Sequence, residues 1–164
     1  MEEFVISPPA TILWAAGAVL VVAVVGIAFT KGSFVRKGIR IAIVLLVLAV
    51  LLAFVYRPVT IRVDADGLSI SGVGGAELPW SQVTSAVHVP DLRAHPLRPT
   101  VRTRGFVLGE YRTGRFLLSN GEPAQVFMEQ SRQAVVVRTA QIVYLLGPHD
   151  VAGLARAIDT YRVY

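Results

Sequence analysis

The sequence lacks or is poor in several residue types, and each shortage excludes a class of function. Its 164 residues include no cysteine, which excludes disulfides, thiolate nucleophiles and cysteine-ligated metal sites. Charged residues make up only 16% of the chain, and lysine occurs only at Lys31 and Lys37. The formal net charge of +5 is too small an excess to indicate a nucleic-acid partner.

Catalytic and metal-binding patterns are also missing from the sequence. The glycine-rich stretch Gly72 to Gly75 lacks the lysine and the hydroxyl residue of a phosphate-binding loop, and no serine lies in a nucleophile-elbow pattern. His88, Asp91 and His95 fall in a proline-containing loop, where no helix or strand would fix them around a metal, so we interpret them as solvated loop residues. The sequence predicts no catalytic residue, no metal and no cofactor.

Two long apolar runs occupy the first third of the chain. Thr11 to Phe29 and Ile41 to Tyr56 contain no charged residue, and roughly 20 apolar helical residues are needed to cross a bilayer core about 30 Å thick. The first run meets this length and the second is slightly short. The pattern predicts a transmembrane helical hairpin with spans at 11–30 and 39–56 and a connector at 31–38. The alternatives are buried helices of a soluble protein and, for the first run, a cleaved signal peptide.

The connector between the two runs is basic, whereas the segment before them has no basic residue. By the positive-inside rule, this asymmetry predicts a cytoplasmic connector and extracytoplasmic termini, although Arg57 and Arg62 just after the second run weaken the argument. Neither run contains an ionisable residue of the kind that proton relays and ion pathways use, which argues against transport by the hairpin alone. The basic residues assigned to the connector are Lys31, Arg36, Lys37 and Arg40.

Ala49 and Ala53 are four residues apart in the second run and fall on one helical face. Small residues at this spacing allow close approach of another helix, so they are candidates for helix packing. An ordinary lipid-facing surface, or a face inside the hairpin, is the alternative. The bilayer and a protein partner or a second copy of the chain are therefore the predicted partners of this region.

After Tyr56 the hydrophobic pattern changes from helical to alternating, which is typical of strands. Val59, Ile61 and Val63 alternate with polar residues, and turn residues separate further alternating segments. We count about seven antiparallel strands. The tail from Pro148 to Tyr161 returns to helical spacing and predicts one closing amphipathic helix.

Several short segments add detail to this layout: Gly67–Ile70, Leu78–Val83, Arg104–Phe106, Gly114–Phe116, Val135–Thr139 and Val143–Leu145. The layout resembles a pleckstrin-homology (PH) barrel, in which a terminal helix covers one open end, and the segments are similar to the bacterial PH-like domains found behind a pair of membrane helices. The resemblance implies a mainly-β barrel domain at 57–164, behind the predicted transmembrane hairpin at 1–56, and the cell membrane of a bacterium as the location. Another small β-barrel or sandwich is the alternative.

The resemblance implies binding or assembly rather than catalysis. Relatives that bind phosphoinositides use basic residues around the first hairpin loop, but that loop holds Asp64 and Asp66 here, and carboxylates repel phosphate. We therefore expect a non-enzymatic, membrane-anchored interaction or assembly module with an unidentified partner.

An arginine cluster is the best candidate for a ligand or partner surface, because arginine binds phosphate and carboxylate bidentately. It supports an alternative function, the sensing of anionic lipid or a small ligand at the membrane surface. Strand alternation would place its side chains on two faces, so ordinary surface charge is the competing interpretation. The cluster consists of Arg98, Arg102, Arg104, Arg112 and Arg115.

Overall fold

The computed structural model describes residues 1–28, 34–55, 58–72, 74–93, 95–130 and 132–162. Within these residues it has ten strands, three α-helices and a single 3₁₀ turn at Trp80–Gln82. The elements are β1 Glu2–Ile6, α1 Thr11–Ala28, α2 Phe34–Val55, β2 Val59–Val63, β3 Gly67–Ile70, β4 Ala76–Pro79, β5 Val83–Val89, β6 Pro99–Leu108, β7 Tyr111–Leu118, β8 Pro123–Met128, β9 Ala134–Thr139, β10 Val143–Gly147 and α3 Val151–Arg162.

The chain divides into two compact units. One consists of Met1–Ser7 and Pro58–Tyr164 and contains all the described strands together with α3. The other, Pro8–Arg57, contains α1 and α2. The first strand therefore belongs to the mainly-β unit, although it precedes both helices in the chain.

Four strands form a meander in the order β1-β2-β3-β4, and every neighbouring pair is antiparallel. The sequence patterns did not predict strand β1. It pairs with β2 from Glu2 opposite Val63 to Ile6 opposite Val59. Glu3 lies opposite Arg62, and the Arg62 Nε and Glu3 Oε2 atoms are 3.4 Å apart. This exposed ion pair favours the observed register but adds little to stability.

The other six strands form a second sheet in the order β5-β9-β10-β8-β7-β6. All its neighbouring pairs are antiparallel except β8 and β10, which run parallel with Ala124 opposite Val143. The parallel pair arises because β10 inserts between β8 and β9. The prediction of a purely antiparallel arrangement is therefore wrong at this position.

Apolar side chains cover both faces of the six-stranded sheet. One face shares a core with the meander and with α3, in which Phe127, Ile61 and Leu154 are fully buried. The opposite face carries a second cluster that includes Phe116 and Leu145, and it is covered by residues of the loop between β5 and β6. Burial of this apolar surface is the main favourable contribution to folding.

The C-terminal helix lies close to its predicted position. It begins at Val151, after Pro148, and its N-cap is Asp150, whose Oδ1 accepts a hydrogen bond from the backbone N–H of Gly153 at 2.8 Å. Leu154 and Ile158 lie on its buried stripe. The apolar face of this helix packs against the strands, and this requirement produces the amphipathic spacing from which the helix was predicted.

The prediction of a closed barrel is wrong. The meander ends on β1 and β4, and the six-stranded sheet ends on β5 and β6. Among the described residues no backbone ladder joins one sheet to the other, so the two sheets do not close on themselves. The sequence pattern identified short strands but underestimated their number, and the pairing partners of edge strands depend on contacts distant in sequence.

The prediction of two transmembrane spans is also wrong. In the described parts of the chain, no helix is both long enough and apolar enough to cross a membrane. Helix α2 begins at Phe34 and carries Arg36, Lys37 and Arg40 in its first turns, so its apolar part is shorter than the helix itself.

These helix boundaries also show that much of the predicted basic connector is helical. Arg36, Lys37 and Arg40 lie within α2 instead of between two helices, whereas Lys31 lies outside the described residues. Of these, Arg40 is exposed, and the side chains of Arg36 and Lys37 are not described. The predicted multi-pass location, with a cytoplasmic connector, outward-facing termini and an integral contact with the bilayer, is therefore not supported.

Candidate anion-binding site

The candidate site is built on the hairpin that β6 and β7 form. The hairpin turns at Gly109 and Glu110, and Leu108 lies opposite Tyr111. Directly opposite residues of an antiparallel pair point to the same face. Val107 and Arg112 therefore share the face that bears the second apolar cluster, whereas Phe106 and Thr113 share the face of the larger core.

Two glycines face each other near the middle of this hairpin. Gly105 and Gly114 are directly opposite, with φ angles of 128° and 119°. A Cβ at Gly105 would overlap the carbonyl oxygen of Thr113, and one at Gly114 would overlap that of Arg104. Only glycine fits at these positions without strain, so the twist of the hairpin depends on both residues.

A cavity of about 480 Å³ opens beside the hairpin, on the face that Arg112 and Val107 share. Four of the residues around it are arginines, and the described residues that line it include no acidic side chain. Phe116, which is buried, supplies an apolar wall. The lining residues are Arg93, Arg98, Pro99, Thr100, Arg102, Val107, Arg112 and Phe116.

The loop between β5 and β6 closes one side of this arginine pocket. Leu92 and Leu97 anchor the loop because both are buried in the second apolar cluster. Asp91 Oδ1 accepts a hydrogen bond from the backbone N–H of Arg93 at 2.9 Å. Arg98 Nη1 then donates to the carbonyl oxygen of Arg93 at 3.2 Å. These contacts place both arginines at the pocket, although neither belongs to the interior of a strand.

Arg112 is half-buried, whereas the other arginines of the pocket are exposed. Its Nη1 donates to the carbonyl oxygen of Pro99 at 3.2 Å, and its Nε is buried with no hydrogen-bond partner among the described residues. The ion pairs found among the described residues, Arg62 with Glu3 and Arg138 with Glu122, include no arginine of the pocket. A buried polar group without a partner costs free energy, and a cation without a counter-charge attracts an anion.

The structure brings together three of the five arginines that the sequence singled out, Arg98, Arg102 and Arg112, all of which line the pocket. It separates them from Arg104 and Arg115, which lie opposite each other and point to the other face of the sheet. The alternation of strand residues causes this separation.

One further arginine belongs to the arginine pocket but was missed by sequence reasoning. Arg93 lies in the loop between β5 and β6 and lines the pocket beside Arg98. No sequence periodicity relates a loop residue to the side chains of a strand. The proximity of Arg93 in sequence to Arg98 was the only available signal.

On the opposite face of the sheet, the pKa values of two tyrosines, Tyr111 and Tyr144, are raised. Burial raises the pKa of the Tyr111 hydroxyl above its ordinary value, and the nearby carboxylate of Glu129 adds to the increase. Burial also raises the pKa of Tyr144, and the positive charge of Arg115 opposes this effect. Both tyrosines therefore favour the neutral form. This face contains packed aromatic side chains instead of a concave arginine surface.

The described lining of the arginine pocket consists of arginines, Thr100 and apolar side chains, and it holds no histidine, carboxylate, lysine or serine. In the loop, His95 Nδ1 accepts a hydrogen bond from the backbone N–H of Leu97 at 3.2 Å, as Asp91 does from Arg93. In the described part of the chain, no three potential metal-binding side chains form a cluster. The arrangement is suited to holding an anion.

A separate ion pair, between Glu122 and Arg138, lies beside the turn between β7 and β8. Arg138 Nη2 and Glu122 Oε2 are 3.1 Å apart, and Asn120 Nδ2 donates to the same carboxylate oxygen at 2.8 Å. These two hydrogen bonds lower the pKa of Glu122. The charges at this site are already paired, so it offers no free group to a ligand.

The helical unit carries the remaining predicted contact residues. Ala49 and Ala53 are exposed on α2, whereas the groove of about 230 Å³ between the two helices is lined by larger residues such as Val19, Val44 and Leu48. Neither alanine lines this groove. Close packing of a further helix against them stays a prediction.

The comparisons with known proteins identify the mainly-β unit. Residues 59–161 match the family described as Bacterial PH domain. This segment begins at β2 and ends within α3, and it includes β6, β7 and all the described residues that line the arginine pocket. Neither a search of curated proteins nor a search of solved structures found a match. Because the matched segment covers more than half of the sequence, the chain belongs to the Bacterial PH domain family.

Proposed function

We propose that the protein is a non-enzymatic interaction module that holds an anionic group of its partner in the arginine pocket. The observation that carries this proposal is the buried Nε of Arg112, which has no hydrogen-bond partner in the described part of the chain and lies in a pocket of four arginines and no described acidic residue. Membership of a PH domain family supports a binding role. The chemistry of the described lining supports the same role because it offers donors without a general base.

The side chains of the pocket favour an oxyanion with several acceptor atoms. A guanidinium presents N–H donors in a planar fork that matches phosphate and carboxylate oxygens. Arg93 and Arg102 are exposed enough to reorient toward a ligand. Arg98 is exposed but donates to the carbonyl oxygen of Arg93, and Arg112 is half-buried and donates to that of Pro99. The arrangement combines guanidinium groups held by backbone carbonyl oxygens with more exposed ones. Phosphate and carboxylate are the anionic groups that fit this donor set.

The proposal is tested by titrating the full chain with inorganic pyrophosphate, using calorimetry at constant ionic strength. Arg112→Leu removes the fixed guanidinium, and Arg115→Leu is the matched control because it removes an arginine of the same strand on the opposite face. Since a hydrogen bond to a charged group contributes about 1.5–3 kcal/mol, Arg112→Leu should weaken binding by at least about tenfold. Arg115→Leu should leave the affinity unchanged.

A second arm of the experiment distinguishes the source of the anion. Flotation with vesicles of phosphatidylglycerol and phosphatidylcholine, compared with phosphatidylcholine alone, reports whether a lipid phosphate occupies the pocket. Flotation that depends on phosphatidylglycerol and is lost in Arg112→Leu assigns a lipid headgroup. Pyrophosphate binding without flotation assigns a phosphate or carboxylate that is not carried by a bilayer. Equal pyrophosphate affinity in wild type and Arg112→Leu would overturn the proposal.

A further inference from the structure

Strand β6 forms an open edge of the six-stranded sheet. It runs from Pro99 to Leu108 and pairs only with β7 among the described residues. Most of its side chains are exposed, including those of Val101 at 56% and Val107 at 37%. An unpaired strand edge presents a row of backbone N–H and C=O groups that can pair with another extended chain.

The regular part of β6 is long enough to accept a short added strand. Register shifts occur between Pro99 and Val101 and between Arg102 and Arg104, whereas pairing from Arg104 to Leu108 is uninterrupted. Alternate residues of a strand point their backbone groups to opposite sides, so this part offers donors and acceptors on its outer edge. At Gly105 no side chain shields the backbone, which allows another chain to approach closely.

The charges around β6 determine which kind of strand would fit. The strand contains Arg102 and Arg104 and no acidic residue. Arg102 lies on the face of the arginine pocket, and Arg104 lies on the opposite face, across from Arg115. An added strand would therefore meet guanidinium groups on both of its faces. Opposite charges on neighbouring strands attract, and like charges repel.

We propose that β6 accepts an extended acidic segment of a partner protein as an additional strand, with one of its carboxylates in the arginine pocket. This inference rests on the proposed function, since the pocket supplies the anchor for that carboxylate. Backbone hydrogen bonds along Arg104–Leu108 contribute affinity, and the arginines select an acidic sequence. This division of roles is the usual one when a peptide extends a sheet. Val107, which borders the pocket, offers an apolar contact beside it.

The test uses a blocked synthetic peptide in which glutamate and valine alternate, added to the full chain. Binding should slow hydrogen exchange of alternate backbone amides between Arg104 and Leu108 by about tenfold or more, which corresponds to about 1.4 kcal/mol of protection. A fully N-methylated peptide of the same sequence keeps the carboxylates but cannot donate backbone hydrogen bonds. It should bind at least about tenfold more weakly. Helix α3 packs against β5, β9 and β2, and hydrogen exchange of its backbone amides serves as the internal reference.

The outcomes separate this inference from the proposed function. Equal binding of both peptides, or peptide binding without slower exchange along β6, overturns strand addition while leaving pyrophosphate binding at Arg112 intact. Peptide binding with slower exchange in a chain that does not bind pyrophosphate supports strand addition and overturns the arginine anchor. Failure of both peptides to bind overturns the inference, and the pyrophosphate titration then decides the proposed function by itself.

Discussion

Arg112 Nη1 donates a hydrogen bond to the carbonyl oxygen of Pro99, at a distance of 3.2 Å. This contact crosses from the turn end of β7 to the first residue of β6. It holds the guanidinium along the pocket, where Nε is buried and none of the described residues is its hydrogen-bond partner. The hydrogen bonds of Arg112 therefore add little to the stability of the folded state. Its half-buried charge fits a role in binding better than a role in stability.

Arg112→Lys separates charge from geometry at this position. Lysine keeps the positive charge but lacks the planar fork that donates two parallel hydrogen bonds. We expect the affinity for pyrophosphate to fall between those of wild type and Arg112→Leu, as measured by calorimetry. The free energy of unfolding of Arg112→Leu should change by less than about 1 kcal/mol in urea denaturation. A large loss of stability together with unchanged pyrophosphate binding would show that Arg112 is structural.

The sequence predicted local elements better than their partners. Alternation identified Val59–Val63 as a strand, and helical spacing identified the helix that follows Asp150, because each pattern depends on neighbouring residues. Strand β1 was missed since it is short, contains Glu2 and Glu3, and is stabilised by pairing with β2, which is distant in sequence. The open sheet edges were missed for the same reason.

The two helices show a different limit of sequence reasoning. The apolar runs correctly indicated helices, but hydropathy does not determine where a helix begins and ends. Helix α2 starts at Phe34 and includes Arg36, Lys37 and Arg40, which the sequence placed in a connector. The predicted spans therefore differed from the observed helices in length and in charge.

The arginine cluster was predictable in part. Five arginines were close in sequence, but only the register of β6 and β7 determines which of them share a face. Arg104 lies opposite Arg115, whereas Val107 lies opposite Arg112. A bulge between Arg102 and Arg104 changes the alternation, and no sequence signal marked it.

Gly114→Ala should destabilise the hairpin strongly. The φ angle of 119° and the overlap of a Cβ with the carbonyl oxygen of Arg104 together should cost roughly 2–4 kcal/mol of unfolding free energy. Gly109→Ala is the matched control, because its φ is 59° but no heavy atom lies within 4 Å of the added Cβ. Its cost should be about 1 kcal/mol. Urea denaturation measures both, and equal losses would contradict the assigned overlap.

Asp64 should stabilise the first hairpin through its carboxylate. Its Oδ1 accepts hydrogen bonds from the backbone N–H groups of Asp66 at 3.0 Å and Gly67 at 3.1 Å, and its carbonyl oxygen accepts one from Trp80 Nε1 at 3.0 Å. Asp64→Ala removes the two side-chain hydrogen bonds and should lower the free energy of unfolding by about 1–2 kcal/mol.

Asp64→Asn is the control for this prediction, since the asparagine carbonyl oxygen can accept the same two hydrogen bonds. Its effect should be less than about 0.5 kcal/mol. Chemical denaturation followed by circular dichroism compares the two variants. If Asp64→Asn were as unstable as Asp64→Ala, the negative charge instead of the turn geometry would be responsible.

Tyr111 should make the fold sensitive to alkaline pH. Its side chain is 5% exposed and packs edge-to-face against Phe106, with ring centroids 6.3 Å apart. Burial and the charge of Glu129 raise its pKa, so the folded protein keeps the phenolic proton at a pH where the unfolded chain, with an ordinary pKa of about 10, loses it. The unfolded state then binds fewer protons, and stability decreases as pH rises above about 10.

Tyr111→Phe removes this ionisation while keeping the aromatic ring. The unfolding free energy of this variant should fall less steeply than that of wild type above about pH 10, and part of the decline should remain because the pKa of Tyr144 is also raised. The difference in phenolate absorbance between the two folded proteins should titrate above the ordinary tyrosine pKa. A difference titration at or below that value would show that the hydroxyl is not desolvated, because only the loss of solvation and the nearby carboxylate oppose its ionisation.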